Sequence, residues 1–199
     1  NNAFYNCLAL EAVSLPNGLT TIGNYAFASC TKLPSISIPN TVTSIGSDVF
    51  NGCTSLKSAN IPNGVTSLPN YTFTSCTSLE TVELSNGLTS IGSNAFRYCS
   101  SLKSITLPNT VTSIGQNAFD CSSSPYGGLI TIESPDSVTT IGSYAFDCRD
   151  LAAIKYNGNT YYDRSDALNA LKDNNVTVSS CFSSSVSLPG ATGVILTAY

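Results

Sequence analysis

The sequence predicts a right-handed repeat solenoid, with a β-strand on one face of every coil and short turns or 3₁₀ segments on the other. Three observations predict it. Phenylalanine recurs every 23 residues at Phe4, Phe27, Phe50, Phe73, Phe96 and Phe119. Cysteine (Cys7, Cys30, Cys53, Cys76, Cys99) and leucine (Leu10, Leu33, Leu56, Leu79, Leu102) keep the same interval. Proline follows at Pro16, Pro39, Pro62 and Pro108, with Ser85 in its place once. A fixed period of this length means that each repeat is one structural unit, unable to bury its apolar face until the next unit stacks on it.

Residues 91–113 show the order of elements within a coil. Leu102, Ile105 and Leu107 alternate with Ser104 and Thr106, the period-2 pattern of a short strand with one buried face. Pro108 ends that strand because it has no N–H for the ladder. Val111 and Ile114 point back inward across a turn, and Gly115 accommodates the corner. Asn117-Ala118-Phe119 opens the next turn segment, with the phenylalanine directed inward. Most coils depart from this scheme little: Ala59 and Pro69 stand for Ile and Gly, and Val49 and Thr72 stand for Ala. After Phe119 the spacing shifts, Cys121 comes one residue early, and residues 122–128 form a Ser/Pro/Gly insertion. The pattern resumes at Leu129, Ile132 and Pro135, then Val138, Ile141, Gly142, Ala145 and Phe146, giving about seven strand rungs over residues 1–156.

This pattern, C-x-x-L-x-x-I-x-[IL]-P-x-x-[VL]-T-x-[IL]-G-x-x-A-F-x-x, resembles the 23-residue bacterial leucine-rich repeat of the BspA-like family. The resemblance covers residues 1 to about 156. It implies a leucine-rich-repeat solenoid, an all-β-leaning α+β fold with a small C-terminal cap. It also implies a place at the cell surface or outside the cell, and a role in adhesion to host matrix proteins or other cells.

Beyond Tyr156 the repeat ends. Asn157-Gly158 signals a tight turn, and Tyr161-Tyr162 a short strand. Residues 163–172 read as a helix capped by Asp163 or Ser165, with Ala167, Leu168, Ala170 and Leu171 as its apolar stripe. Val176 and Val178 indicate one more strand. Residues 157–178 are therefore the expected cap of the last coil, and residues 179–199 a tail, edge strand or linker stub. The chain starts inside a repeat and lacks methionine, so it reads as a piece of a longer or processed protein whose first coil is open to end-to-end self-association.

Composition narrows the function. The net charge of −4 and the absence of Lys/Arg clusters argue against nucleic acid. No stretch approaches the ~18–20 apolar residues of a membrane span, so no membrane insertion is expected. The chain has no histidine, no nucleophile elbow and no P-loop, so an enzyme, a cofactor and a metal site are all unexpected. The cysteines are expected as a line of buried thiols: stacked neighbours keep Cβ atoms about 4.8 Å apart, whereas a disulfide needs about 3.5–4.5 Å. Cys148 and Cys181 fall outside that line and form the one pair suspected of bridging.

What remains is a surface. The outward residues of the strand face run Ser14, Ser37, Asn60, Glu83, Thr106, Glu133 and Lys155, with a second outward row, Ala12, Ser35, Ser58, Thr81, Ser104, Thr131 and Ala153, beside them. Solenoids bind along such faces, and the candidate contacts are Ser37, Asn60, Glu80, Glu83, Thr106, Glu133 and Tyr126. Tyr126 belongs to the insertion, an aromatic on a loop held by a rigid frame. Glu83 and Glu133 are the one carboxylate pair near a glycosidase spacing, and solvated surface acid explains them far better. A flat hydroxyl-rich sheet without Trp, Phe or Arg suits multivalent contact with an extracellular protein or glycan ligand. The alternative is a structural spacer displaying another domain. Asn70-Tyr71-Thr72 and Asn175-Val176-Thr177 match the glycosylation sequon, which matters only in a eukaryotic source.

Overall fold

Two strands per coil, rather than one, are built from the repeat. The structure is a computed structural model and describes residues 1–122, 128–148 and 151–178. The strands begin with β1 (Thr21–Ile22), β2 (Ser35–Ile36), β3 (Ser44–Ile45), β4 (Ser58–Asn60), β5 (Ser67–Leu68), β6 (Thr81–Glu83) and β7 (Ser90–Ile91). They continue with β8 (Ser104–Thr106), β9 (Ser113–Ile114), β10 (Thr131–Ser134), β11 (Thr140–Ile141), β12 (Ala153–Tyr156), β13 (Asn159–Tyr161), the helix α1 (Arg164–Asp173) and β14 (Thr177–Val178). Even-numbered strands from β2 to β12 form one parallel ladder and odd-numbered strands from β1 to β11 a second. Register is set by the repeat, so Ser35 lies beside Ser58, Ser58 beside Thr81, and Ser67 beside Ser90. The stretch from Val111 to Ile114, expected as a turn, carries the second ladder's strand β9. Among the described residues the even ladder has six parallel strands, β2 to β12, rather than seven rungs: residues 11–15 form no strand, and Val13 and Leu15 are half-buried.

Each ladder is interrupted once. The odd ladder breaks between β3 and β5. At intact steps the glycine after the strand donates to the coil before it, with Gly46, Gly92 and Gly115 bonding Ile22, Leu68 and Ile91 carbonyls at 2.8 Å. Pro69 occupies that place after β5 and has no N–H to give to Ile45. The even ladder breaks between β6 and β8, where Val82 and Leu84 are half-buried although their counterparts Ile105 and Leu107 are buried.

The third side of each coil is a turn segment with its own ladder. Phe27 and Ser29 donate N–H bonds to Val49 and Asn51 of the next coil, and Cys30 and Leu33 close turns onto Phe27 and Cys30. The phenylalanines stack face to face through the core, with centroids 5.2 Å apart for Phe4–Phe27 and 5.3 Å for Phe96–Phe119. Phe146, although displaced in sequence, extends the stack at 6.0 Å from Phe119.

The cysteine line is a hydrogen-bonded one. Cys53 Sγ donates to Phe27 O at 3.1 Å, and Cys76 and Cys99 repeat the bond to Phe50 and Phe73. Each of these carbonyls also accepts a turn N–H, so the thiol fills its second lone pair. Burial pushes the Cys53 thiol up to about 12, and Cys76 and Cys99 well above the usual thiol range for the same cause. At Cys121 and Cys148, where the spacing is one residue short, the two thiols hydrogen-bond each other; this lowers Cys121 and raises Cys148. Cys181 lies outside the described residues.

The cap closes both ladders. Asn157 and Gly158 both take positive φ (50° and 69°), the pairing of a primed two-residue hairpin turn, and bring β13 back antiparallel onto β12. Asp163 caps α1 by accepting the Ser165 and Asp166 N–H groups, which hold its carboxyl below the usual range. Ala167 and Leu171 bury the helix against the solenoid's end, and β14 then joins β11 in parallel. Ala153, expected to face outward, is buried by this arrangement.

Candidate ligand-binding face

The even ladder holds the expected contact residues, but the structure sorts them into unlike groups. Ser37 follows β2 and is exposed, and with Asn60 it lines a shallow groove of about 420 Å³. Asn60 is not free to act there. Its Oδ1 accepts the Ile38 N–H and its Nδ2 donates to Ile38 O, both at 2.9 Å, so the amide serves as a ladder rung. Glu80 precedes β6 and Glu83 ends it, both exposed, beside the break in the ladder. Glu83 pairs in register with Asn60, and no strand bonding joins it to Thr106. Tyr126 lies outside the described residues.

Thr106 and Glu133 do come together. They are register partners on β8 and β10, with Thr106 Oγ1 3.4 Å from Glu133 Oε2. Lys155 follows in the same outward row on β12. The row becomes a groove because the β12–β13 hairpin stands beside it. That groove, about 580 Å³, runs along the carboxyl ends of β8, β10 and β12 and is walled by Asn157 to Thr160. Asn109 and Asp136, each one residue past its strand-ending proline, add an amide and a second carboxylate. Beneath them Tyr156 is buried at 3% exposure; burial, then the Asp136 charge, pushes its phenol up.

Ser134 was not singled out by sequence reasoning. It occupies the inward place filled by Leu107 one coil earlier, lines the groove, and is buried. Its hydroxyl has no hydrogen-bond partner among the described residues. The available signal was the serine itself, a polar residue where Ile38, Ile61 and Leu107 set an aliphatic rule.

The opposite corner of each coil carries a second unanticipated feature. Tyr25, Tyr71 and Tyr144, each two residues before a core phenylalanine, hold positive φ of 55° to 59° while remaining about 40% exposed. Asn94 and Asn117 occupy the same place in other coils with φ of 59° and 53°. Asn70, in the first sequon, is engaged: its Oδ1 accepts the Ser93 N–H at 2.8 Å.

A repeated strand–turn coil with an aliphatic, phenylalanine and cysteine interior is therefore the unit of this molecule, and its sequence matches the family described as the BspA type leucine rich repeat region, in six copies over residues 1–124 and 81–188. The chain belongs to the BspA-type leucine-rich repeat family. Among solved structures it is similar to a leucine-rich repeat protein of T. pallidum, at 31% identity and a TM-score of 0.63, over 74% of this chain and 66% of that one. It is also similar to leucine-rich repeat proteins of Bacteroides ovatus (33% identity, TM-score 0.61) and Eubacterium ventriosum (32% identity, TM-score 0.64). Those matches cover 75% and 76% of this BspA-type chain but 43% and 41% of the other two. The chain thus spans less than two thirds of each of these relatives. No curated protein matches it in sequence.

Proposed function

We propose that this BspA-type solenoid is the recognition segment of a secreted or cell-surface protein, which holds an extracellular protein or glycan ligand on the outward side of its even strand ladder. One observation carries the reading. The interior of the coil repeats, whereas the outward row does not: it passes from Ser37 through Glu83 and Thr106 to Glu133 and Lys155 on an invariant frame. Solenoids present extended faces of this kind to their ligands. Family membership supports the reading by analogy of fold. Among the described residues no helix is long and apolar enough to cross a membrane. No catalytic role is proposed, since the chain lacks histidine and Glu83 and Glu133 sit on separately bonded parts of the ladder.

The test is a binding screen of the folded chain against immobilised matrix proteins and printed glycans. The destabilised variant Phe96→Ala, assayed above its own thermal midpoint, serves as the unfolded control. Saturable binding that disappears in the control is expected. A folded chain that retains nothing from either panel overturns the recognition reading in favour of a spacer, which the absence of Trp, Phe and Arg from the described outward row also favours.

A further inference from the structure

The even ladder carries only the shallow groove at Ser37 and Asn60 until its last three strands, where the hairpin gives it a wall. Nothing in the 23-residue pattern requires that wall, which follows from the Asn157-Gly158 turn folding β13 against β12. The groups in the groove are polar and largely uncommitted. Among the described residues the Glu133 carboxylate has only the long Thr106 contact at 3.4 Å. Among the described residues Lys155, its register neighbour, is in no ion pair, and the Asp136 and Asn109 side chains have no hydrogen-bond partner. Below them lies the buried hydroxyl of Ser134, also unpartnered. A buried polar group left unpaired costs free energy, and a ligand that reaches it recovers part of that cost.

The groove's chemistry also says what it suits. Its aliphatic and aromatic members, Leu107, Pro135 and Tyr156, are buried, so no apolar anchor is offered to a peptide side chain. Among the described residues no three acidic, cysteine or histidine side chains converge as a metal cage. Two carboxylates repel phosphates. What is offered is a dense set of carboxylate, amide, ammonium and hydroxyl groups at hydrogen-bonding depth, which matches a ligand that carries hydroxyls in close succession.

We propose that this groove is a saccharide site, binding a short oligosaccharide through Glu133, Asp136, Lys155 and Asn109, with Ser134 as a buried partner. The inference rests on the recognition reading above and localises it. On the opposite half of the ladder Asn60, which stands in the same outward row as Glu133, is spent on the Ile38 backbone.

The experiment uses the whole chain against a printed array of neutral, amino-sugar and acidic oligosaccharides, with the matrix-protein panel in parallel. Three variants accompany it: the double variant Asp136→Asn/Lys155→Ala, the single variant Ser134→Ala, and Ser44→Ala on the other ladder. The oligosaccharides retained by the unaltered chain are expected to bind about tenfold or more weakly to the double variant, as loss of charge-assisted hydrogen bonds implies. Ser134→Ala is expected to weaken them several-fold with no drop in thermal midpoint, since it removes a hydroxyl that the free protein does not use. Ser44→Ala is expected to match the unaltered chain. Oligosaccharide binding that persists in both groove variants overturns the site. So does the absence of retained oligosaccharides with matrix-protein binding intact, which leaves the broader recognition reading standing. Loss of both panels in a folded chain sinks the two together.

Discussion

The inside and the outside of this solenoid follow different rules. Inside, one phenylalanine, one cysteine and a set of aliphatic residues return in each coil, and their geometry returns with them, as in the phenylalanine stack and the repeated thiol bonds at 3.1 Å. Outside, the same register position holds serine, asparagine, glutamate, threonine and lysine in turn. The difference teaches that stability and recognition occupy separate positions here. A coil can change its outward letter without losing its place in the stack, because stacking terms are local and interior.

The sharpest way to break that division is to strike the interior. Phe96→Ala removes a ring that is 1% exposed and stacked between Phe73 and Phe119, so we predict a loss of about 3–5 kcal/mol by chemical denaturation. A loss below about 1 kcal/mol would show that neighbouring coils close the cavity and that the stack is not what holds them.

The thiol line makes a pH prediction of the same kind. Burial raises Cys53 to about 12 from an ordinary thiol value of 9.0, and it raises Cys76 and Cys99 well above that ordinary value too. The sign follows from linkage. Below the unfolded thiol value both states keep their protons and the contribution is fully present. Between pH 9 and 12 the unfolded chain ionises first, so stability falls as pH rises. Denaturation midpoints should drop across that window, and native-state alkylation of Cys76 should be slow at pH 8. Rapid alkylation there would mean that the interior opens readily.

Gly115 tests how closely the coils approach. A Cβ at that position would meet Ser93 N at 2.5 Å and Gly92 C at 2.7 Å, both backbone atoms that cannot swing aside. Gly115→Ala is therefore expected to cost about 1–3 kcal/mol. Gly18, with nothing within 4 Å of such a Cβ, should accept alanine within about 0.5 kcal/mol. Equal effects would refute the close-approach argument.

Smaller still is the effect of Tyr144→Asn. Tyr144 holds φ of 58°, a region asparagine tolerates better than tyrosine, and Asn117 already occupies the equivalent place. A gain of about 0.5–1 kcal/mol is expected in thermal or denaturant midpoint. A loss would mean that the half-exposed ring packs usefully on its coil.

How much of this could be read beforehand follows the same division. Phe4 to Phe119 announced the stack, Leu102 and Ile105 the even strands, and Asp163 the helix cap, because each rests on local periodicity or local hydrogen bonding. The second ladder was missed because a two-residue strand such as Ser113–Ile114 is too short for alternation to show; only stacking makes it a strand. Pro69 was visible as a departure from glycine, yet its consequence depends on an N–H bond to the previous coil that no single repeat reveals. The groove was legible in pieces. Asn157-Gly158 signalled the hairpin and Ser134 broke the aliphatic rule, but their meeting beside Glu133 and Lys155 is set by β12–β13 register. Asn60 illustrates the reverse case: an outward polar residue offered as a contact proves to be a backbone rung.

The smallest expected stability effect is the most informative about the outside. Lys155 is exposed on β12, beside Glu133 in register, yet in no ion pair among the described residues, so Lys155→Ala removes a solvated charge and no buried contact. Its effect on the denaturation midpoint should stay within about 0.5 kcal/mol, the range of an ordinary surface substitution. Asp136→Asn should behave alike, because Asp136 is exposed and the Tyr156 phenol that feels its charge stays neutral at pH 7. Thermal melts of both variants beside Phe96→Ala give the comparison directly. If either groove substitution costs more than about 1.5 kcal/mol, those charges hold the hairpin in place and the outward row is not free to serve a ligand. If both melt with the unaltered chain, any change they cause in binding is a property of the groove itself.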